Sequence, residues 1–305
     1  MSTPNRELLR LIPNVLRARD FHLYLDNGKR LTDLWLDGGR AVMGHKASRI
    51  LVELKNAAER GLFTALPHQA EKRYVKAIGE FFPGFGFRLY TDEASMHRAL
   101  INAGIADAAI LKSAASLGAF PDPAFPKENN PPSSAKYKYA ISLWRPFLEP
   151  VKEEETCEEK IKIIIPILPW NLGPTVLVFD KSLDTLFPTG DLIPPVLLAP
   201  AARALYNLAA EDKIYSPNYR RYKKIDRVLQ AWKIEKKSTN DCIWRQKGIY
   251  LTTNIDAEKY KTLFIRFLEA GFLLPPSPSE PLILPLQMSN GEESKLAKLL
   301  KRDVE

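Results

Sequence analysis

Apolar positions along this chain alternate between helical and strand spacing, with Gly, Pro and Asn marking the turns between them. Leu8, Leu9, Leu11, Ile12 and Val15 predict an N-terminal helix broken by Pro13. Leu23-Tyr24-Leu25 and Arg30-Leu31-Thr32-Asp33-Leu34 flank an Asn27-Gly28 pair, which predicts a hairpin because such a turn needs positive φ. Ser48 is placed to cap a helix reaching about Arg60, with Ile50, Leu51, Leu54, Ala57 and Ala58 as its apolar stripe. A second helix is predicted from about His68 to Phe82, ending at Pro83-Gly84. A strand over 87–90 and a helix over 93–103 follow. The runs 161–165 and 175–179 are nearly all apolar, as in strands buried on both faces of a parallel sheet. Further on, 249–253 and 282–284 read as strands, and Asp256 caps a helix that stops at Gly271. Ser289 and Glu292 form a capping box for the final helix. Strands alternating with helices make this an α/β chain, and no internal repeat is visible.

Composition adds little until charge is considered. The 305 residues are 45% hydrophobic and 26% charged, which excludes general disorder. Two cysteines, Cys157 and Cys242, are too few for a disulfide framework or a zinc cluster. The N-terminal residues lack the apolar run of a signal peptide, so the expected location is cytoplasmic. Residues 192–210 are apolar but contain Pro194, Pro195, Pro200 and Arg203, so they predict buried protein and no membrane association. The formal net charge is +8, and nine Lys and Arg lie between Lys213 and Lys237 against Asp226 and Glu235. Tyr215, Tyr219, Tyr222 and Trp232 share that stretch, so nucleic-acid or anionic-surface binding has to be weighed. Ile225, Val228, Leu229 and Trp232 fall at i, i+3, i+4 and i+7, however, which predicts a helix with those basic residues on its solvated back. A proline-rich loop spans 118–150, with five of its prolines before residue 133.

Generic catalytic patterns are absent: there is no Walker loop, GxGxxG, GxSxG or HExxH, and His22, His45, His68 and His97 lack metal-ligand spacing. What the chain does carry is an ordered series of segments. The 23–36 hairpin leads to Val42-Met43-Gly44-His45. The stretch 62–78 follows, and then Arg88-Leu89-Tyr90-Thr91-Asp92-Glu93-Ala94-Ser95. Next come Ile163-Ile164-Ile165-Pro166 with Asn171-Leu172-Gly173, then Val178-Phe179-Asp180, and finally Phe267 to Ser277. In this order they resemble class III aminotransferases of the glutamate-1-semialdehyde aminomutase type. That family has the type I pyridoxal-phosphate (PLP) transferase fold.

The resemblance implies a truncated large domain with a mainly parallel sheet, and a smaller α+β domain built from both chain ends. The implied divisions are 1–60 packing with the small domain, 61–212 as the large domain, and 213–305 as the small domain. It also implies a homodimer. An enzyme of this kind needs an aldimine lysine, a carboxylate for the pyridine nitrogen, a stacking ring and donors around the phosphate. Asp180 matches the carboxylate, although a strand-end aspartate capping the next helix is an equally good reading. Thr91 and Ser95 keep hydroxyls in the phosphate cup, but the cup's glycine is gone and Asp92 stands in it. The aldimine position falls on Leu197, which cannot form an imine. The stacking-ring segment is replaced by the proline-rich loop, and the family's threonine run by Tyr215-Ser216-Pro217-Asn218-Tyr219.

The expectation is therefore a non-catalytic relative without a cofactor, binding a small acidic or phosphorylated ligand or a protein partner. One alternative is a residual PLP-dependent aminotransferase or aminomutase using Lys112 or Lys181. The other is nucleic-acid or anionic-surface binding through 213–237.

Overall fold

The computed structural model describes residues 5–105, 139–148, 161–212, 222–235 and 243–301. The first part of the chain forms α1 (Asn5–Leu9), β1 (Val15–Arg19), β2 (His22–Leu25) and β3 (Arg30–Asp33). Then come α2 (Ile50–Glu59), α3 (Gln69–Phe81), β4 (Phe85–Tyr90) and α4 (Glu93–Asn102). Strands β5 (Tyr139–Trp144), β6 (Ile161–Pro166) and β7 (Thr175–Asp180) precede α5 (Pro195–Asp212) and α6 (Lys223–Glu235). The last elements are β8 (Trp244–Lys247), β9 (Tyr250–Thr253), α7 (Ala257–Glu269), β10 (Phe272–Leu273), β11 (Leu282–Ile283) and α8 (Asn290–Lys301). Two compact units result: Met1–Lys46 with Tyr215–Glu305, and Ala47–Ile214. Among the described residues no helix is long and apolar enough to cross a membrane.

The discontinuous unit holds two small sheets, ordered β1-β2-β3-β10 and β11-β9-β8. The β2–β3 hairpin turns at Gly28 (φ 77°), and the Asn27 side chain accepts from the Lys29 amide at 3.1 Å. β10 pairs in parallel with β3, joining the two stretches of the unit. Its core gathers Leu31, Leu34, Phe264, Phe267, Phe272 and Leu296. Helix α6 turns Ile225, Leu229 and Trp232 into the interior and leaves Lys223, Lys224 and Arg227 exposed. The helix expected over the first twenty residues is described only from Asn5 to Leu9, and from Val15 the chain is strand β1. Pro13 lacks an amide proton and cannot carry the helix further.

A polar cluster seals the start of α8. Glu292 accepts from the Ser289 amide (2.9 Å) and hydroxyl (2.7 Å), closing the capping box. It also accepts from His22 Nε2 (2.8 Å), Arg30 Nη2 (3.0 Å) and Thr32 Oγ1 (3.0 Å) of β2 and β3. Burial opposes its ionisation, but the hydrogen bonds from Ser289, His22 and Thr32 prevail and bring the carboxyl down to about 2. A carboxyl lowered by folding stabilises the protein above its unfolded value and loses that contribution as pH falls through the folded one. Stability should therefore drop between about pH 4.5 and 2 by an extra 1–2 kcal/mol or so, after allowance for solvent screening, relative to Glu292→Gln. Urea midpoints of both proteins across that window check this; parallel curves would remove Glu292 from the acid response.

In the continuous unit, β4-β7-β6-β5 form one sheet. β4 and β6 each run antiparallel to β7, and β5 runs parallel to β6. Strands β4, β5 and β6 therefore point one way, with β7 against them. Met96, Ala99 and Leu100 of α4 join Ile163, Ile165, Leu177 and Phe179 in the core over this sheet. Helices α2 and α3 pack on α5, so residues 50–59 belong with this unit, and the first boundary falls after Lys46 instead of residue 60. Ser48 does not cap α2. Arg49 occupies the cap position in a left-handed conformation, and the Ser48 carbonyl accepts from Asn207 Nδ2 at 2.8 Å.

Candidate functional site

The sheet order gathers the carboxyl ends of β4, β5 and β6 at one edge, the place where open α/β sheets present their ligand sites. Four segments lie there: 91–95 entering α4, 145–148 after β5, 167–174 between β6 and β7, and 190–191 beside β4.

At the start of α4, Asp92 takes the cap position, and its Oδ1 accepts from the Ser95 amide at 2.7 Å. That hydrogen bond, above all, holds the Asp92 carboxyl below the ordinary range. Asp191 approaches from the other side. Its Oδ2 accepts from both the Thr91 amide and the Thr91 hydroxyl, each at 2.9 Å. The Thr91 and Ser95 hydroxyl oxygens lie 3.5 Å apart.

Asp191 is delivered by a segment laid along β4. The Asp191 amide donates to the Leu89 carbonyl at 2.8 Å. At Gly190 the backbones are so close that a β-carbon would sit 2.4 Å from the Leu89 oxygen, so only glycine fits there. Lower on the strand, Arg88 clamps the same segment: Nε donates to the Pro188 carbonyl (3.0 Å), and Nη2 to the carbonyl (3.1 Å) and carboxylate (3.0 Å) of Asp184.

The candidate residues do not form one site. Thr91 and Ser95 share the edge just described, but Asp180 does not. β4 and β7 are antiparallel with Tyr90 opposite Thr175 and Phe85 opposite Asp180. Five residues of strand, about 17 Å, thus separate Asp180 from the Thr91 end. Asp180 is exposed, and its Oδ1 accepts from the Ser182 amide at 2.9 Å, capping the short 3-10 turn Lys181–Leu183. This bond lowers its pKa, and the capping alternative is the one realised. Lys181 opens that turn, also at the far end. Leu197 lies in the first turn of α5, half-buried. Lys112 and the segment 213–221 lie outside the described residues. Asp191 was not legible as a site residue, because its partner is 100 positions away in the sequence. Among the described residues no group of three His, Cys, Asp or Glu is arranged to hold a metal ion.

A PLP phosphate at this edge would need the donors at the start of α4. The Thr91 amide and hydroxyl are committed to Asp191 and the Ser95 amide to Asp92. A phosphate about 4 Å from either carboxylate would meet roughly 4 kcal/mol of repulsion at an effective dielectric near 20. None of the four segments carries a lysine. This arrangement does not fit the cofactor.

Comparison with known proteins bears on the scaffold. No family profile matches the chain. It is 26% identical over 318 residues to an uncharacterised protein of Treponema pallidum (strain Nichols), covering 93% of each chain. It is also 26% identical over 297 residues to one of Borreliella burgdorferi, covering 94% of this chain and 90% of the other. Among solved structures it is similar to acetylornithine aminotransferase from Elizabethkingia anophelis, with a TM-score of 0.62, 14% identity and 98% of both chains covered. It is also similar to a glutamate-1-semialdehyde aminomutase from Pseudomonas aeruginosa, with a TM-score of 0.59, 11% identity, and 94% and 86% covered. The chain has the type I PLP-transferase fold. At these identities the likeness is one of architecture, and activity has to be argued from the site.

Proposed function

We propose that this protein is a non-catalytic bearer of the aminotransferase fold that works by binding a small ligand or a protein partner, and that it acts as a homodimer. The carrying observation is the dispersal of the groups that aldimine chemistry needs in one place. Asp180 sits at one end of β7, Thr91 and Ser95 at the other end of its neighbour β4, and among the described residues the segments at the Thr91 edge bring no lysine. Apolar side chains exposed on the continuous unit favour a partner: Leu51 and Val52 of α2, and Phe63 and Leu66 after it, the last two 60% exposed.

The enzyme alternative is weakened at Lys181, which lies beside Asp180 at the far end and nowhere near the donors of α4. Nucleic-acid binding finds less support in α6, whose aromatic Trp232 is turned inward and gives no exposed stacking platform.

Titrating the purified protein with PLP, followed by borohydride reduction and peptide mapping, tests the proposal. No reducible visible band is expected at stoichiometric cofactor. A band trapped on a single lysine would overturn it.

A further inference from the structure

Resting on the binding reading above, we propose that α6 and α8 together form a docking face for an acidic helix of a partner protein. The two helices run parallel and in register. Near their starts the Lys224 amide donates to Glu293 Oε1 at 2.7 Å, and near their ends Trp232 Nε1 donates to the Leu300 carbonyl at 3.3 Å. These pairs are offset by 69 and 68 positions, so each turn of α6 lies beside one turn of α8. Lys224 Nζ also reaches across to the Asn290 carbonyl (3.3 Å) and the Ser294 hydroxyl (2.5 Å).

The outer surface of this pair is cationic. Lys223, Lys224 and Arg227 of α6 and Lys295, Lys298 and Lys301 of α8 are exposed. Lys224, Arg227 and Ala231 form one row at i, i+3 and i+7. Ser294, Lys298 and Lys301 form the neighbouring row at i, i+4 and i+7, and the Lys224–Ser294 contact joins the two. The acids of α8 are withdrawn from this surface: Glu292 is taken by His22, Arg30 and Thr32, and Glu293 is buried on the Lys224 amide. Asp226 of α6 is half-buried. Like charges one turn apart repel and weaken a helix, and an acidic surface laid over them reverses the sign.

The shape of the face selects the class of partner. Two helices side by side, each about 10–12 Å across, span roughly 20 Å, too broad for a DNA major groove of about 12 Å. Tyr222 and Trp232 are buried, so the two helices offer a single strand no ring to stack on. The seam between two parallel helices suits a third helix instead. Such a helix presents carboxylates at i, i+4 and i+7, the spacing of the cations along this seam.

The probe is a capped, fluorescein-labelled alanine peptide with glutamates at i, i+4, i+7 and i+11, titrated with the full chain by fluorescence anisotropy at low and physiological salt. Saturable binding that weakens with salt is expected. A permuted peptide of equal composition, its glutamates spread around the helix, should bind about tenfold more weakly. Arg227→Glu combined with Lys298→Glu and Lys301→Glu should lose about tenfold or more. A charge-matched reversal of the exposed Lys72, Arg73 and Lys76 on α3 should bind as the parent does. Should the first triple variant fail to fold, glutamine at the same three positions removes the charge without reversing it and should show a smaller loss of the same sign. Four results overturn the docking face: no saturable peptide binding, equal losses in the two triple variants, equal binding of the permuted peptide, or tighter binding of a short DNA duplex than of the peptide. None of these readouts involves PLP, so they stand or fall separately from the PLP titration.

Discussion

Phe179→Ala should destabilise the continuous unit by about 3–5 kcal/mol, the usual range for deleting a buried aromatic ring. The ring is fully buried on β7. Its centroid lies 4.6 Å from that of Phe187, tilted by 37°, and the Arg88 guanidinium stands 5.3 Å above it. It also fills the space opposite Gly86, where a β-carbon would come within 2.7 Å of it. Truncation therefore leaves a cavity bounded by two strands and removes the support beneath Phe187 and the clamped segment. Urea unfolding is the measurement. The pair with Gly86→Ala should be strongly non-additive: the alanine clashes with the parent ring and is accommodated once the ring is gone. A loss below about 1 kcal/mol for Phe179→Ala would mean that the sheet collapses into the space, against the packing described.

Asp33→Ala should cost the discontinuous unit about 3 kcal/mol, since it strands several donors in the interior. Asp33 is 2% exposed. Its carboxylate accepts from the Trp35 amide (2.8 Å), the Leu36 amide (2.9 Å) and His45 Nε2 (2.9 Å). The two amides introduce a run of left-handed backbone, with φ of 49° at Leu36 and 51° at Asp37. Side-chain-bearing residues enter that region at a cost of roughly 1–2 kcal/mol each, so the carboxylate stabilises a bend that the chain would not hold alone. Asp33→Asn keeps one acceptor and should lose about half as much. If both variants unfold within 1 kcal/mol of the parent in urea, the bend has another source of support.

Local elements were legible wherever neighbouring residues determine them. The Asn27-Gly28 turn, the Ser289–Glu292 capping box, the Asp256 cap and the inward face of α6 all formed as read, because each depends on residues within a few positions. Strand direction was not legible. An apolar run such as 175–179 is the same pattern whichever way it runs, so nothing local placed Asp180 at the far end from Thr91. Pro200, inside α5, likewise defies the local rule; a helix packed against α2 and α3 has tertiary contacts that offset one missing hydrogen bond. The Asp191–Thr91 pair was hidden for the same reason as the direction of β7, since partners 100 positions apart share no window of sequence.

The division of the chain also bears on its synthesis. Residues Ala47–Ile214 form their unit from one uninterrupted stretch, whereas the other unit joins Met1–Lys46 to Tyr215–Glu305. Thr32 meets Glu292 only after 260 further positions have been made. At roughly 5–20 residues per second, the first hairpin leaves the ribosome some tens of seconds before its permanent neighbours exist. During that interval β1, exposed along its whole length and with Leu16 72% exposed, is a bare sheet edge. Arg17 and Arg19, and the irregular pairing between Val15 and Arg17, are the features that discourage a stranger chain from adding to it. The hairpin is thus open to misassociation until β10 pairs with β3 and Glu292 reaches β2 and β3, while β1 stays an exposed edge in the finished fold.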